Sequence, residues 1–170
     1  FLLGGYELSL SDDDGTLTIS GSGTTDSYDR GGIQPWASFR ETITTVKVGS
    51  GITVLGYDFC LGLTNLTTLE LSEGLREICS GAFSGCTALT VGNIPATARS
   101  ALALYENCTA LESVTIAEGI PGLDRTFDGC SRLQSVTLPS TLNEIPGAFT
   151  DCISLTEVNE KYIASRQIAT

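Results

Sequence analysis

The chain has no histidine and no methionine, a single tryptophan, and only two lysines, Lys47 and Lys161, in 170 residues. Without an imidazole to take the nucleophile's proton, neither a Ser-His-Asp nor a Cys-His catalytic arrangement can be built. Neither lysine lies in a Ser-x-x-Lys frame. The glycines are spread along the chain and are not gathered into a loop that would cradle phosphate. No carboxylate pair stands apart from the acidic background as a glycosidase would require. The chain is therefore read as non-enzymatic, with no cofactor. Zinc lacks its usual ligands, since there is neither histidine nor a CxxC pair. Asp12-Asp13-Asp14-Gly15 lacks the spaced oxygens and closing glutamate of a calcium loop and reads as a polar turn.

Basic residues are also scarce. Twenty Asp and Glu against nine Lys and Arg leave a net charge of −11, and there is no basic run. A phosphate backbone or anionic membrane surface would be repelled, so nucleic acid is not an expected partner. No apolar run approaches the ~18 residues needed to cross a bilayer, so no membrane insertion by this chain is expected. A 41% hydrophobic content with only 17% charged residues excludes a disordered tail. The start at Phe1 and the lack of methionine point to a processed or excised fragment, with any signal peptide or anchor outside it.

What the chain does have is a period. Phe83, Tyr105, Phe127 and Phe149 are 22 apart, as are Cys86, Cys108, Cys130 and Cys152. An earlier copy from Phe59 to Leu66 carries one inserted residue and places Leu63 where the others have cysteine. A fixed period of this length marks a solenoid, in which each coil buries its apolar side only by stacking on its neighbours. Each coil carries an L-x-x-L-x-L-like run: Ile43/Val46/Val48, Leu66/Leu69/Leu71, Leu111/Val114/Ile116 and Leu133/Val136/Leu138. The coil at Leu89 is degenerate, with Gly92 in the middle slot and Ile94 in the last. The alternating, β-branched ends of these runs predict short strands lying side by side in one parallel sheet.

Other phases agree. Polar or glycine-bearing turns follow the strands, and apolar pairs such as Leu75/Ile78 and Leu142/Ile145 return the chain to the core. Gly62, Gly85, Asn107, Gly129 and Asp151 precede the cysteine position. These residue types best tolerate left-handed angles, so one tight turn is predicted in every coil. The phased cysteines are expected to be reduced and buried in one column as small hydrophobes, the role Leu63 can share. Cys60 and Cys79 lie outside that column, and a bridge between them stays open.

Residues 1–41 differ from the rest. Tyr6–Leu10 and Thr16–Ser20 alternate around a Ser11–Gly15 turn, which is a β-hairpin signature. The end coil of a solenoid would otherwise expose its core and an open sheet edge, so this segment is read as a cap with Trp36 plugging the end. Residues 42–170 are then about six coils of 22–23 residues in the same structural domain.

The string A-F-x-x-C-x-x-L-x-x-V-x-L-P is seen at Ala148-Phe149, Cys152, Leu155 and Val158, and at Cys130, Leu133, Val136 and Leu138-Pro139. It resembles the BspA-type leucine-rich repeat of bacterial surface proteins. Gly15–Gly21 followed by Pro35-Trp36 resembles the segment that opens such arrays, and Asn159 to Tyr162 resembles the N-x-x-Y that follows a coil there. The resemblance implies a leucine-rich-repeat solenoid, right-handed, with strands on one face and little helix. It also implies secretion or surface display, and adhesion or binding to host or bacterial proteins. The alternative is a structural spacer that presents another domain from the cell envelope.

Strand alternation places Thr45/Lys47, Thr68/Glu70, Val91/Asn93, Ser113/Thr115, Ser135/Thr137 and Glu157/Asn159 on the outward face. This stripe is small, hydroxyl-rich and free of the aromatic anchors that dominate many interfaces. It is the candidate ligand face.

Overall fold

Tyr6, Leu8 and Leu10 alternate with Glu7 and Ser9, and the chain uses that alternation to bury one side of an antiparallel hairpin. In the computed structural model, which describes residues 2–28 and 32–158, β1 (Leu2–Leu3), β2 (Tyr6–Leu10) and β3 (Thr16–Gly21) form it, with Leu8 opposite Ile19 and Leu10 opposite Leu17. The acidic turn closes through Gly15 N–H to Ser11 O (3.1 Å) and Thr16 N–H to the Asp14 carboxylate (3.0 Å). Hydrogen bonds from Ser11 and Thr16 hold the Asp14 carboxyl below its ordinary pKa.

Coil stacking begins inside the N-terminal segment. β3 pairs in parallel with β5 (Thr45–Val48), and β5 with β7 (Thr68–Glu70). β4 (Gly23–Thr24), β6 (Ile52–Leu55) and β8 (Glu77–Ile78) form a second, parallel row on the return side of the same coils. Further along, β9 (Val91–Ile94) pairs with β10 (Ser113–Ile116), and β11 (Ser135–Val136) with β12 (Glu157–Val158). Helix among the described residues is a single 3₁₀ turn, Ala37–Phe39.

The expected single parallel sheet is therefore corrected. The outward strands divide into hydrogen-bonded groups of five, two and two, and a three-stranded row runs beside them. The break between β7 and β9 has a local cause. Thr90 and Ile94 carbonyls accept from the following coil, at Ser113 and Ala117. By alternation, the N–H and C=O of Asn93 face the preceding one. The Tyr105 hydroxyl occupies both: it donates to Asn93 O (2.5 Å) and accepts from Asn93 N–H (3.0 Å). Gly92 makes room for it, since a Cβ there would lie 3.2 Å from Tyr105 Cζ. The degenerate coil is thus a fitted pair, with glycine in one coil and tyrosine in the next.

The core is one column of rings. Phe83, Tyr105, Phe127 and Phe149 stack with centroids 5.9, 6.1 and 5.6 Å apart and planes within 18°. Toward the hairpin, Phe59 joins a separate ring cluster, packing against Trp36 (3% exposed) at 4.7 Å and against Tyr6 at 6.3 Å. Leu66, Leu89, Leu111 and Leu133 line the strand side, all fully buried.

Each coil bends at two left-handed residues four apart. The predicted set, Gly62, Gly85, Asn107, Gly129 and Asp151, has φ of 71, 70, 59, 76 and 55°. A second set, Asp58, Gly81, Ala103, Arg125 and Gly147, has φ of 53, 73, 48, 47 and 60°. Gly129 is also crowded, because a Cβ there would meet Asn107 Oδ1 at 2.4 Å. Gly129→Ala should therefore lower unfolding free energy by about 1–2 kcal/mol for its left-handed backbone alone, more if Asn107 cannot move. Trp36→Ala should cost about 3–5 kcal/mol by uncovering Phe59. Urea melts of both variants check these values, and an unchanged midpoint for Trp36→Ala would place the indole outside the core.

Candidate interaction surface

Two sets of residues could carry function: the cysteines, as the only strong nucleophiles in a chain without histidine, and the outward strand positions. The cysteines are structural. Each phased thiol points back one coil and donates to a buried carbonyl: Cys108 to Phe83 O (3.1 Å), Cys130 to Tyr105 O (3.1 Å) and Cys152 to Phe127 O (3.0 Å). Cys86 donates to Cys60 O at 3.4 Å. The carbonyls of Phe83, Tyr105 and Phe127 are thereby each satisfied by the thiol of the following coil, a role Leu63 cannot perform. Expecting the cysteines to act only as small hydrophobes missed this ladder.

All six cysteines are free, so Cys60 and Cys79 are not bridged. Cys152, in the last described coil, is only half-buried, unlike the other three of its column. Burial pushes the Cys60 and Cys130 thiols well up, and Cys152 up to about 12. Burial and the Glu77 carboxylate push Cys79 up to about 11. A thiolate nucleophile is disfavoured at every one of these sites. Among the described residues no cluster of three or more His, Cys, Asp or Glu is placed to hold a metal ion.

The outward face is built by register. Cross-strand partners Thr18, Lys47 and Glu70 form one row, and Thr16, Thr45 and Thr68 another. Val91 lies beside Ser113, Asn93 beside Thr115, and Ser135 beside Glu157. Lys47, Thr68, Glu70, Val91, Ser113, Thr115, Thr137 and Glu157 are exposed, while Thr45, Asn93 and Ser135 are half-buried. Thr137 follows β11 rather than lying in it. Asn159 lies outside the described residues. Lys47 Nζ meets Glu70 Oε1 at 3.5 Å, a solvent-exposed pair worth only ~0.2–1 kcal/mol. Val91, 58% exposed, is the apolar element of the face.

The hairpin widens this surface beyond the predicted positions. Thr16 and Thr18 on β3 stand in register with Thr45 and Lys47, and Ser9 on β2 stands opposite Thr18. Their alternation was legible; which coil strand they would join was not.

Repeated parallel strands, stacked leucines and nearly no helix define a leucine-rich-repeat fold. Residues 53–165 match, in six copies, the family described as BspA type leucine rich repeat region, and the chain belongs to that family. Among solved structures it is similar to a leucine-rich repeat protein from Eubacterium ventriosum ATCC 27560, with TM-score 0.68 and 21% identity over 91% of this chain and 41% of that one. It is also similar to the leucine rich repeat protein of T. pallidum, with TM-score 0.58 and 22% identity over 97% and 94% of the two chains. A leucine rich cell surface protein from Faecalibacterium prausnitzii A2-165 is a third, with TM-score 0.55 and 19% identity over 93% and 53%. The chain spans less than half the length of the first of these. No curated protein matches the sequence. No helix among the described residues is long and apolar enough to cross a membrane.

The thiol ladder has two measurable consequences. In native protein at neutral pH, iodoacetamide should modify Cys152 first, leaving Cys60, Cys86, Cys108 and Cys130 to react only after denaturation. Because the folded pKa values of Cys86, Cys130 and Cys152 are raised, their stabilising contribution is complete below the unfolded value of ~8.5 and is lost as pH climbs toward the folded values. Thermal midpoints should be flat from neutrality to about pH 8 and fall above it. Rapid native labelling of Cys108 or Cys130 would contradict the ladder.

Proposed function

We propose that this chain is a protein-binding module of a secreted or cell-surface protein, and that its partner, an extracellular host or bacterial-surface protein, docks on the outward strand face. The observation that carries this reading is the alignment of equal-phase side chains in rows within each strand group, from the hairpin through β7 and again in β9–β10 and β11–β12. Leucine-rich repeats generally serve as protein-binding scaffolds, because stacked repeats offer extended surfaces that no single loop provides. Surface display is supported by the family and by the neighbour from F. prausnitzii described as a cell surface protein. The fold suits binding better than catalysis, since its nucleophiles are buried and hydrogen-bonded within the coil stack.

The same reading treats the coil as right-handed, residues 1–41 as its N-terminal cap and residues 42–170 as the repeat array. Trp36 packed on Phe59, with Tyr28 edge-on to Trp36 and tilted against Phe59, supports the cap.

The test places two bulky charges mid-face. Ser113→Arg with Ser135→Arg leaves buried Val114 and Val136 untouched and should change stability by only about 0.5 kcal/mol per site. Binding to a partner isolated by cross-linking from extracellular matrix or neighbouring cell surfaces should fall at least tenfold. Undiminished binding by the folded double variant would move the ligand face elsewhere, and the lack of any partner would favour a structural spacer.

A further inference from the structure

The return side of the coils carries a second register that the strand face does not use. Thr53, Arg76, Arg99, Pro121 and Asn143 occupy the same position in five successive coils. Arg76 N–H donates to Thr53 O (2.8 Å), Arg99 N–H to Arg76 O (2.9 Å) and Asn143 N–H to Pro121 O (2.8 Å). The missing rung is the one between Arg99 and Pro121, because proline has no N–H to donate.

A cleft lies at that missing rung. It has a volume of about 260 Å³, with Arg99 to Leu102 on one wall, Pro121 to Asp124 on the other, and Glu144 beyond. Arg99 and Ser100 also line a second cavity of about 480 Å³ beside Thr53, Arg76 and Glu77. The two follow one another along the coil stack and share that wall, and together they are treated as one groove.

The groove is polarised. One end holds Arg76 and Arg99, fixed on neighbouring rungs ~4.8 Å apart in a chain of net charge −11. The ion pairs of the described residues are Lys47–Glu70, Arg125–Asp124 and Arg132–Glu112, and neither arginine belongs to one. Glu77 lies in the same wall but beyond ion-pair distance, and it accepts a weak hydrogen bond from the Cys79 thiol at 3.8 Å. Both side chains are exposed on adjacent rungs, and the planar forks of guanidinium groups suit a carboxylate. The other end is acidic, with Glu144 and with Asp124, whose Oδ1 lies 3.9 Å from Arg125 Nε. Between the ends, Leu102 and Pro121 present exposed apolar surface.

We propose that this groove binds an extended peptide segment of a partner protein, acidic over Arg76 and Arg99, apolar over Leu102 and Pro121, and basic over Asp124 and Glu144. Four rung spacings of ~4.8 Å give a length of about 19 Å, which matches roughly six extended residues at ~3.3 Å each. The site is independent of the strand face, and either surface can fail its test without the other.

The test titrates the full chain, labelled with nitrogen-15, with the hexapeptide EDALKR and with its reverse, RKLADE, since the groove fixes polarity of charge but not chain direction. QNALKR, which lacks the acidic end, is the control. At least one charged order should shift the amides of Arg76, Arg99, Leu102 and Leu123 saturably. Its affinity should fall at least tenfold in Arg76→Glu/Arg99→Glu, and QNALKR should bind at least tenfold more weakly. If the charge-reversed chain does not fold, Arg76→Gln/Arg99→Gln gives the same comparison without new charge. Absence of shifts at millimolar concentrations of both charged peptides, equal binding of QNALKR, or shifts confined to the strand face would each overturn the proposal.

Discussion

Two left-handed residues, four apart, recur in every coil from Asp58/Gly62 to Gly147/Asp151, and the remaining geometry depends on that pair. The first turns the chain inward so that the ring residue between them enters the core. The second turns it back so that the column cysteine can reach the coil before. Gly85 and Gly129 adopt these angles at little cost, and Asn107 and Asp151 tolerate them. Ala103 and Arg125 do not, yet both hold φ near 48°. Their strain is borne because the rings on either side stack in register and the thiols behind them satisfy buried carbonyls.

The same phase lock that builds the core builds the surface. A coil that repeats its backbone every 22 or 23 residues also repeats its outward positions, so alignment of Thr45 with Thr68, or Ser135 with Glu157, comes without any dedicated contact. Where a coil departs from the pattern, the surface changes with it. Tyr105 takes the backbone groups of Asn93 and interrupts the outward sheet. Pro121 removes a rung on the return side and leaves a cleft. The regular positions make the scaffold, and the exceptions give it local character.

Much of this was legible in the residues. The period, the buried leucines and rings, the hairpin alternation and one of the two left-handed positions all followed from residue type at a fixed spacing. The second left-handed position was hidden because Asp, Gly, Ala, Arg and Gly share no chemistry that announces it; tertiary packing overrides local preference there. The thiol ladder was hidden because Leu63 in the column position suggested volume alone. Gly92 looked like a defect since its partner, Tyr105, stands in the next coil and fills the space a side chain would take. Of the candidate face, strand alternation placed the coil positions, but Thr16 and Thr18 could be added only once the pairing of β3 with β5 was known.

Removal of one whole coil tests the dependence on phase most directly. Excising residues 107–128 joins Glu106 to Gly129 and takes out one 22-residue period, leaving Tyr105 followed at the correct spacing by Cys130 and Leu133. Excising residues 107–117 instead removes half a period and throws every later ring and thiol out of register. If stacking at equal phase carries the fold, the first chain unfolds cooperatively at a lower midpoint than the parent, as expected of an array one repeat shorter. The second loses its cooperative transition. Loss of the transition in the full-period deletion, or equal stability of the two, would contradict the dependence of this structure on its repeat.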